Sequence, residues 1–220
     1  MSAYLDCIEI ETGPHPSASV IWLHGLGADG NDFAPIVPEL ALPQRAIRFV
    51  FPNARQMPVT INGGMVMPAW YDISDSAIRR EDERGVRASQ AAIEALIERE
   101  TNRGSPAGNI VLAGFSQGGA IALQTALRHE SRLAGVMALS TYVPLADTLA
   151  AEASAANRDV PIFMAHGSQD PVIPIARAEQ SRALLQSMGY RVEWHSYGMA
   201  HAVCPQEIAD VGRWLSKVLG

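Results

Sequence analysis

The sequence predicts a single α/β domain over residues 1–220, built on an open, mostly parallel sheet with helices on both faces. Three observations carry that expectation. Short apolar runs recur along the chain, segments with helical period lie between them, and 220 residues suffice for one sizeable core but are few for two.

Strand-like runs fall at residues 5–10, 19–23, 48–51, 109–113, 135–139, 161–165 and 190–197. SVIWL, NIVLAG, GVMAL and PIFMA are apolar almost throughout, the pattern of strands covered on both faces rather than half exposed. Residues 81–100 place Val86, Ile93 and Ile97 near one helical face with charges opposite, and residues 116–128 are rich in Ala and Leu. Residues 175–188 end at Gly189, a common helix stop. Residues 205–219 open on a proline suited to a first turn and align Ile208, Val211, Leu215 and Val218. Residues 53–80 lack periodicity, yet a loop this long that carries Trp70 and Tyr71 is expected to be functional rather than disordered. In such sheets ligands bind beyond the carboxyl ends of the strands, so the functional residues should follow strands directly.

Composition narrows the partners. Hydrophobic residues make up 48% of the chain and charged ones 18%, as in a folded globular protein. The formal charge is −6, and scattered arginines with a single lysine, Lys217, leave no basic face for nucleic acid. The first 19 residues have neither a basic leader nor an unbroken apolar stretch. No run approaches the roughly 20 apolar residues of a membrane span, so stable membrane insertion is not expected. Cys7 and Cys204 alone form neither a disulfide framework nor a metal-ligand spacing. A cytoplasmic protein with two reduced thiols is expected.

Gly114-Phe115-Ser116-Gln117-Gly118 fits the G-x-S-x-G pattern, preceded by the strand NIVLA and followed by the helical segment GAIALQTALRH. A serine on a sharp strand-to-helix turn needs small neighbours two residues away on each side, and the turn aims the first helix amides at the space beside its hydroxyl. A Ser that merely caps the helix is the plainer reading, but it leaves the strand, the helix and the extra Gly119 unexplained. The strand VIWL runs into His24-Gly25-Leu26-Gly27, similar to loops that donate a second backbone amide to a developing oxyanion. The expected oxyanion donors are the amides of Leu26 and Gln117. His24 should hydrogen-bond its own loop.

Where this elbow occurs the partners follow in the order Ser, acid, His. Four histidines follow Ser116. His129 sits at a helix end, His195 inside a strand and His166 before a glycine in the turn that carries Asp170. His201 alone lies just past a strand and ahead of the last helix, which makes it the expected general base. Asp170 follows the strand PIFMA and is the expected acid, whereas Asp147, Asp159 and Asp210 are not delivered by strand ends.

Together with Met67-Pro68-Ala69-Trp70-Tyr71-Asp72 and Leu139-Ser140-Thr141-Tyr142-Val143-Pro144, these motifs resemble the phospholipase/carboxylesterase family of bacterial carboxylesterases and acyl-protein thioesterases. The resemblance implies an α/β-hydrolase fold without a large lid domain. It also implies hydrolysis of short- to medium-chain acyl esters or thioesters, with no cofactor and no metal. Trp70, Met67, Tyr142, Val143 and Val172 would line the acyl groove. Thr141-Tyr142 departs from the Trp that thioesterase members often carry after Leu-Ser, which sets the chain nearer the bacterial esterases. An apolar rim around the groove would suit a substrate entrance or a homodimer contact. Other acyl hydrolases share such a triad, and a non-catalytic binding module is the alternative of another class. That module has no need of Ser116, Asp170 and His201 together.

Overall fold

A computed structural model describes residues 4–42, 45–75 and 81–220. The strands β1 (Cys7–Glu11), β2 (Ala18–Leu23) and β3 (Ile47–Pro52) are followed by a hairpin of β4 (Gln56–Val59) and β5 (Met65–Pro68). Then come α1 (Glu83–Asn102), β6 (Ile110–Phe115), α2 (Gln117–Ala126), β7 (Gly135–Leu139) and α3 (Ala146–Glu152). The chain continues through β8 (Ile162–Gly167), α4 (Ile175–Ser187), β9 (Val192–Tyr197) and α5 (Pro205–Leu219).

Seven strands form one sheet in the order β1-β3-β2-β6-β7-β8-β9. Only β1 runs antiparallel to its neighbour. Because the other six are parallel, the loops leaving β2, β6, β8 and β9 all emerge along one edge, with β6 near the middle.

Side-chain alternation divides the core into two layers. Ile21, Leu23, Ile110 and Leu112 face the layer that holds Ile93 and Ile97 of α1, Leu123 of α2 and Leu185 of α4. Val20, Trp22, Val111 and Ala113 face the opposite layer, with Phe33, Val37 and the α5 residues Val211, Trp214 and Leu215. Each fully buried Leu, Ile, Val or Phe side chain contributes roughly 1.5–3 kcal/mol relative to exposure, so this two-sided burial is the main stabilising term. It also accounts for strands that are apolar on both faces.

All seven strand-like runs pair in the sheet, and the four helical segments form helices. Two elements go beyond the sequence reading. The stretch read as an aperiodic loop contains the β4/β5 hairpin, paired from Gln56↔Pro68 to Val59↔Met65. Its strands are four residues long, each contains a proline, and Met65 and Val66 lie exposed, so neither alternation nor burial marks them. The hairpin turns through Gly63 and Gly64, both at positive φ (66° and 80°), where a residue without Cβ is unstrained. α3 is only seven residues long and buries Leu149 alone, too little for a periodic signal. Residues 76–80 of the long loop lie outside the described residues.

Candidate active site

The centre of the site is the turn from β6 into α2. Ser116 sits at φ 53°, ψ −121°, a left-handed conformation costing a non-glycine residue of order 1–3 kcal/mol. Its N–H donates to the Leu139 carbonyl (2.8 Å) and its carbonyl accepts from the Thr141 hydroxyl (2.6 Å), so β7 and the segment after it hold the turn in place. The flanking glycines are required by contact. A Cβ on Gly114 would stand 2.4 Å from the Gly118 backbone, and one on Gly118 would stand 2.4 Å from the His24 carbonyl. Strand, helix and the loop after β2 can approach only because both are glycine.

The structure brings the three expected side chains together. His201 Nε2 is 2.9 Å from Ser116 Oγ, and His201 Nδ1 is 2.6 Å from Asp170 Oδ2. The other carboxylate oxygen, Asp170 Oδ1, accepts from the N–H groups of Val172 (2.8 Å) and Ile173 (2.9 Å). Asp170 is fully engaged: one oxygen orients the imidazole and the other is fixed by its own turn. His166 Nε2 donates to the Ile173 carbonyl (2.8 Å) and steadies that turn, while burial holds its pKa below the ordinary imidazole value. The acid and base loops interlock. The Ser168 N–H donates to the Tyr197 carbonyl (2.8 Å), the Gln169 N–H to that of Met199 (3.1 Å), and a Cβ on Gly167 would lie 2.3 Å from the Ala200 carbonyl.

Leu26 and Gln117, the expected oxyanion donors, both line the cavity beside Ser116. The Gln117 amide opens α2, where the first helical N–H groups have no carbonyl within the helix to bond. The Leu26 loop is tied down on both sides by bonds from the Gly27 N–H to Pro68 (2.9 Å) and from the Ala28 N–H to Gly25 (3.3 Å). His24 donates from Nδ1 to the Gly25 carbonyl (2.7 Å) and accepts at Nε2 from the Ala54 N–H (3.0 Å). That pair of bonds admits only the neutral ring, and burial lowers its pKa in the same sense. A proton on Nε2 would face the Ala54 N–H. His24 therefore steadies its own loop, as expected.

The groove residues divide. Tyr142 and the exposed Val172 line a cavity of about 460 Å³ that opens onto Ser116 and His201. Trp70, Val143 and Met67 do not. Trp70 is a correction to the sequence reading: it is 3% exposed and packs in the core layer under the loop. Its indole N–H donates to the His24 carbonyl (2.9 Å), and its backbone N–H donates to the Gln117 side-chain carbonyl (2.8 Å). Gln117 returns a bond from Nε2 to the Tyr71 carbonyl (2.7 Å). Trp70 thus braces the oxyanion loop from behind rather than walling the cavity. Val143 is buried, its N–H on the Ser181 hydroxyl (3.0 Å). The Met67 sulfur lies behind Gly27, accepting from Asn62 Nδ2 (3.3 Å).

Cavity walls not expected from the sequence come from Ile61 and Asn62 of the hairpin turn and from Tyr71, Ile73 and Phe115. The Tyr71 and Tyr142 hydroxyls meet at 2.8 Å, and burial raises the pKa of both, that of Tyr142 to about 12. That wall is polar but uncharged. Tyr71 adjoins Trp70 in one motif, so the sequence signal was present but assigned to the wrong neighbour.

The position of Trp70 fixes an expected result. Trp70→Ala should cost about 3–5 kcal/mol of stability. It should lower activity on all esters alike rather than shift the chain-length optimum. Thermal unfolding measured beside an ester panel decides; an unchanged melting temperature with an altered optimum would put Trp70 back on the groove wall.

A mostly parallel sheet that carries a Ser–His–Asp chain on its carboxyl edge, with the serine on a strained strand-to-helix turn, defines an α/β-hydrolase. The sequence pattern of the Phospholipase/Carboxylesterase family matches residues 5–219, and the chain belongs to that family; it is a serine hydrolase. It is 40% identical over 214 residues to acyl-protein thioesterase 1 of Gibberella zeae, covering 92% of this chain and 91% of that one. Against the Neurospora crassa acyl-protein thioesterase 1 it is 42% identical, with 92% and 87% covered. The crystal structure of Zea mays acyl-protein thioesterase 2 superposes with a TM-score of 0.87 at 28% identity, covering 99% of this chain and 100% of that one. Among the described residues, no helix is long and apolar enough to cross a membrane.

Proposed function

We propose that this chain is a cytoplasmic, single-domain carboxylesterase that also accepts thioesters, hydrolysing short- to medium-chain acyl groups through an acyl-enzyme on Ser116. The observation that carries the reading is the unbroken hydrogen-bonded chain Ser116–His201–Asp170 at the mouth of a largely apolar cavity. His201 Nε2 takes the Ser116 proton as Oγ attacks the acyl carbonyl, and Asp170 holds the imidazole and stabilises its charged form. The negative charge forming on the carbonyl oxygen falls to the Leu26 and Gln117 amides, fixed in advance and costing no reorganisation. His201 then returns the proton to the leaving alcohol or thiol and activates the water that releases the acid. Esters and thioesters differ only in that leaving atom, and the thioesterase names of the relatives favour including thioesters.

Chain-length dependence tests the reading. Each methylene buried in the cavity is worth about 0.8 kcal/mol, so kcat/KM should rise roughly fourfold per added carbon until the cavity is filled. A series of nitrophenyl esters and matched acyl thioesters from acetyl to decanoyl measures this. Absence of turnover on both series would overturn the proposal, and a flat profile would remove the cavity as the acyl site.

A further inference from the structure

Glu207 lies in the first turn of α5, six residues after His201, and is 0% exposed; the Cys204 backbone N–H lies near its carboxyl group, but neither oxygen has a well-formed hydrogen bond among the described residues. On β2, Trp22 is likewise buried, and its indole N–H has no partner among the described residues. Trp22 precedes the Leu23-His24-Gly25-Leu26 segment that carries one oxyanion donor. Both side chains line the same narrow gap with Leu139, Val203 and Ile208, and that gap has no room for a water molecule. Two polar groups left unpartnered in one dry gap, each adjoining a different half of the catalytic apparatus, call for a joint account.

We infer that Glu207 is a positioning residue, held as the neutral carboxylic acid in the gap it shares with Trp22, and that this neutral packing keeps the His201 loop seated on the oxyanion strand. The chemistry of the gap requires the neutral form. The titratable groups beside Glu207 are Asp210 one turn further along α5 and the Tyr197 hydroxyl at the end of β9, which donates to Asp210 (2.8 Å). Neither brings a positive charge, and the rest of the gap is lined by the uncharged Trp22, Ile36, Leu139, Val203, Ile208 and Val211. Burial pushes the Glu207 pKa up to about 8, against a weaker opposite pull from the Cys204 backbone N–H. Once ionised, the carboxylate has neither counter-ion nor water where it stands and is relieved only by leaving the gap. Leaving loosens the first turn of α5 and, through residues 202–204, the base itself.

The sign follows from linkage. A folded-state pKa raised above the unfolded value contributes stability that is complete below the unfolded carboxyl pKa and is lost as pH rises through about 8. The inference rests on the hydrolase reading above, and wild-type turnover of nitrophenyl acetate at neutral pH verifies that reading before the alkaline limb is measured. Wild-type kcat should fall roughly tenfold by about pH 9, with KM little changed. Glu207→Gln, neutral at every pH, should hold neutral activity within about twofold and flatten that limb, and Glu207→Ala should lose about tenfold at every pH. The gap in melting temperature between Glu207→Gln and the wild type should widen from acid to alkaline pH. If Glu207→Ala fails to fold, the Gln and wild-type profiles decide alone. An alkaline limb in Glu207→Gln that superimposes on the wild type overturns the inference. So does a Gln variant that is inactive or unfolded at neutral pH, since the charged form would then be the one required.

Discussion

Ser116→Ala is expected to reduce kcat on any ester or thioester by on the order of 10⁴- to 10⁶-fold while leaving the protein folded. Removing Oγ leaves His201 Nε2 with no proton to take, and only the oxyanion amides and the cavity remain to assist water. The Cβ that alanine keeps preserves the contacts of the turn, and both backbone bonds that hold it, to Leu139 and from Thr141, survive. The melting temperature should therefore stay close to that of the wild type. Ser116→Gly should be as inactive but more stable by about 1 kcal/mol, because it releases the cost of φ 53° at a residue with a side chain. Measurable turnover above about a hundredth of wild type in purified Ser116→Ala would remove Ser116 from the reaction.

Asp170→Asn should lower kcat by about 10⁴-fold with only a small change in KM. The cause is tautomeric. Oδ1 accepts two backbone N–H groups, so an asparagine must place its carbonyl oxygen there and turn its NH₂ toward His201 Nδ1. Nδ1 must then accept, the imidazole proton moves to Nε2, and no lone pair is left for the Ser116 hydroxyl. Because the lesion is a misplaced proton rather than a protonated base, raising the pH should not restore activity, and fluorophosphonate labelling of Ser116 should fall in parallel. A variant that recovers at alkaline pH, or loses less than about tenfold, would reduce Asp170 to a structural role.

The parts of the fold and site that could be read in advance were those encoded by neighbours in the chain. Buried strands are apolar on both faces, and the elbow needs its glycines within two residues of Ser116, so both leave local signatures. Asp170 and His201 could be brought to the Ser116 edge of the sheet in advance because the first follows the apolar strand β8 and the second lies in the loop after β9. What could not be read depends on contacts between distant segments. Trp70 sits in a loop whose two sides look alike in sequence, and the bond from its indole to His24 spans 46 residues. The Tyr71–Tyr142 contact spans 71, and the hairpin that supplies Ile61 is held by backbone pairing that its own residues do not announce. The clamp made by the Gln117 side chain was not legible, because the 69–71 segment that it grips is brought to it only by folding.

The interlock of the β8 and β9 loops bears on timing during synthesis. Ser116 and Asp170 leave the ribosome before His201, and the hydrogen bonds that seat His201 require β9 to add at the far edge of the sheet. A nascent chain that has folded its central strands therefore carries the serine and the carboxylate without a base between them. With His201 as the proposed base, the chain is expected to stay chemically silent until its final strand is in place, and damage that peels β9 from the sheet is expected to abolish hydrolysis while most of the core persists.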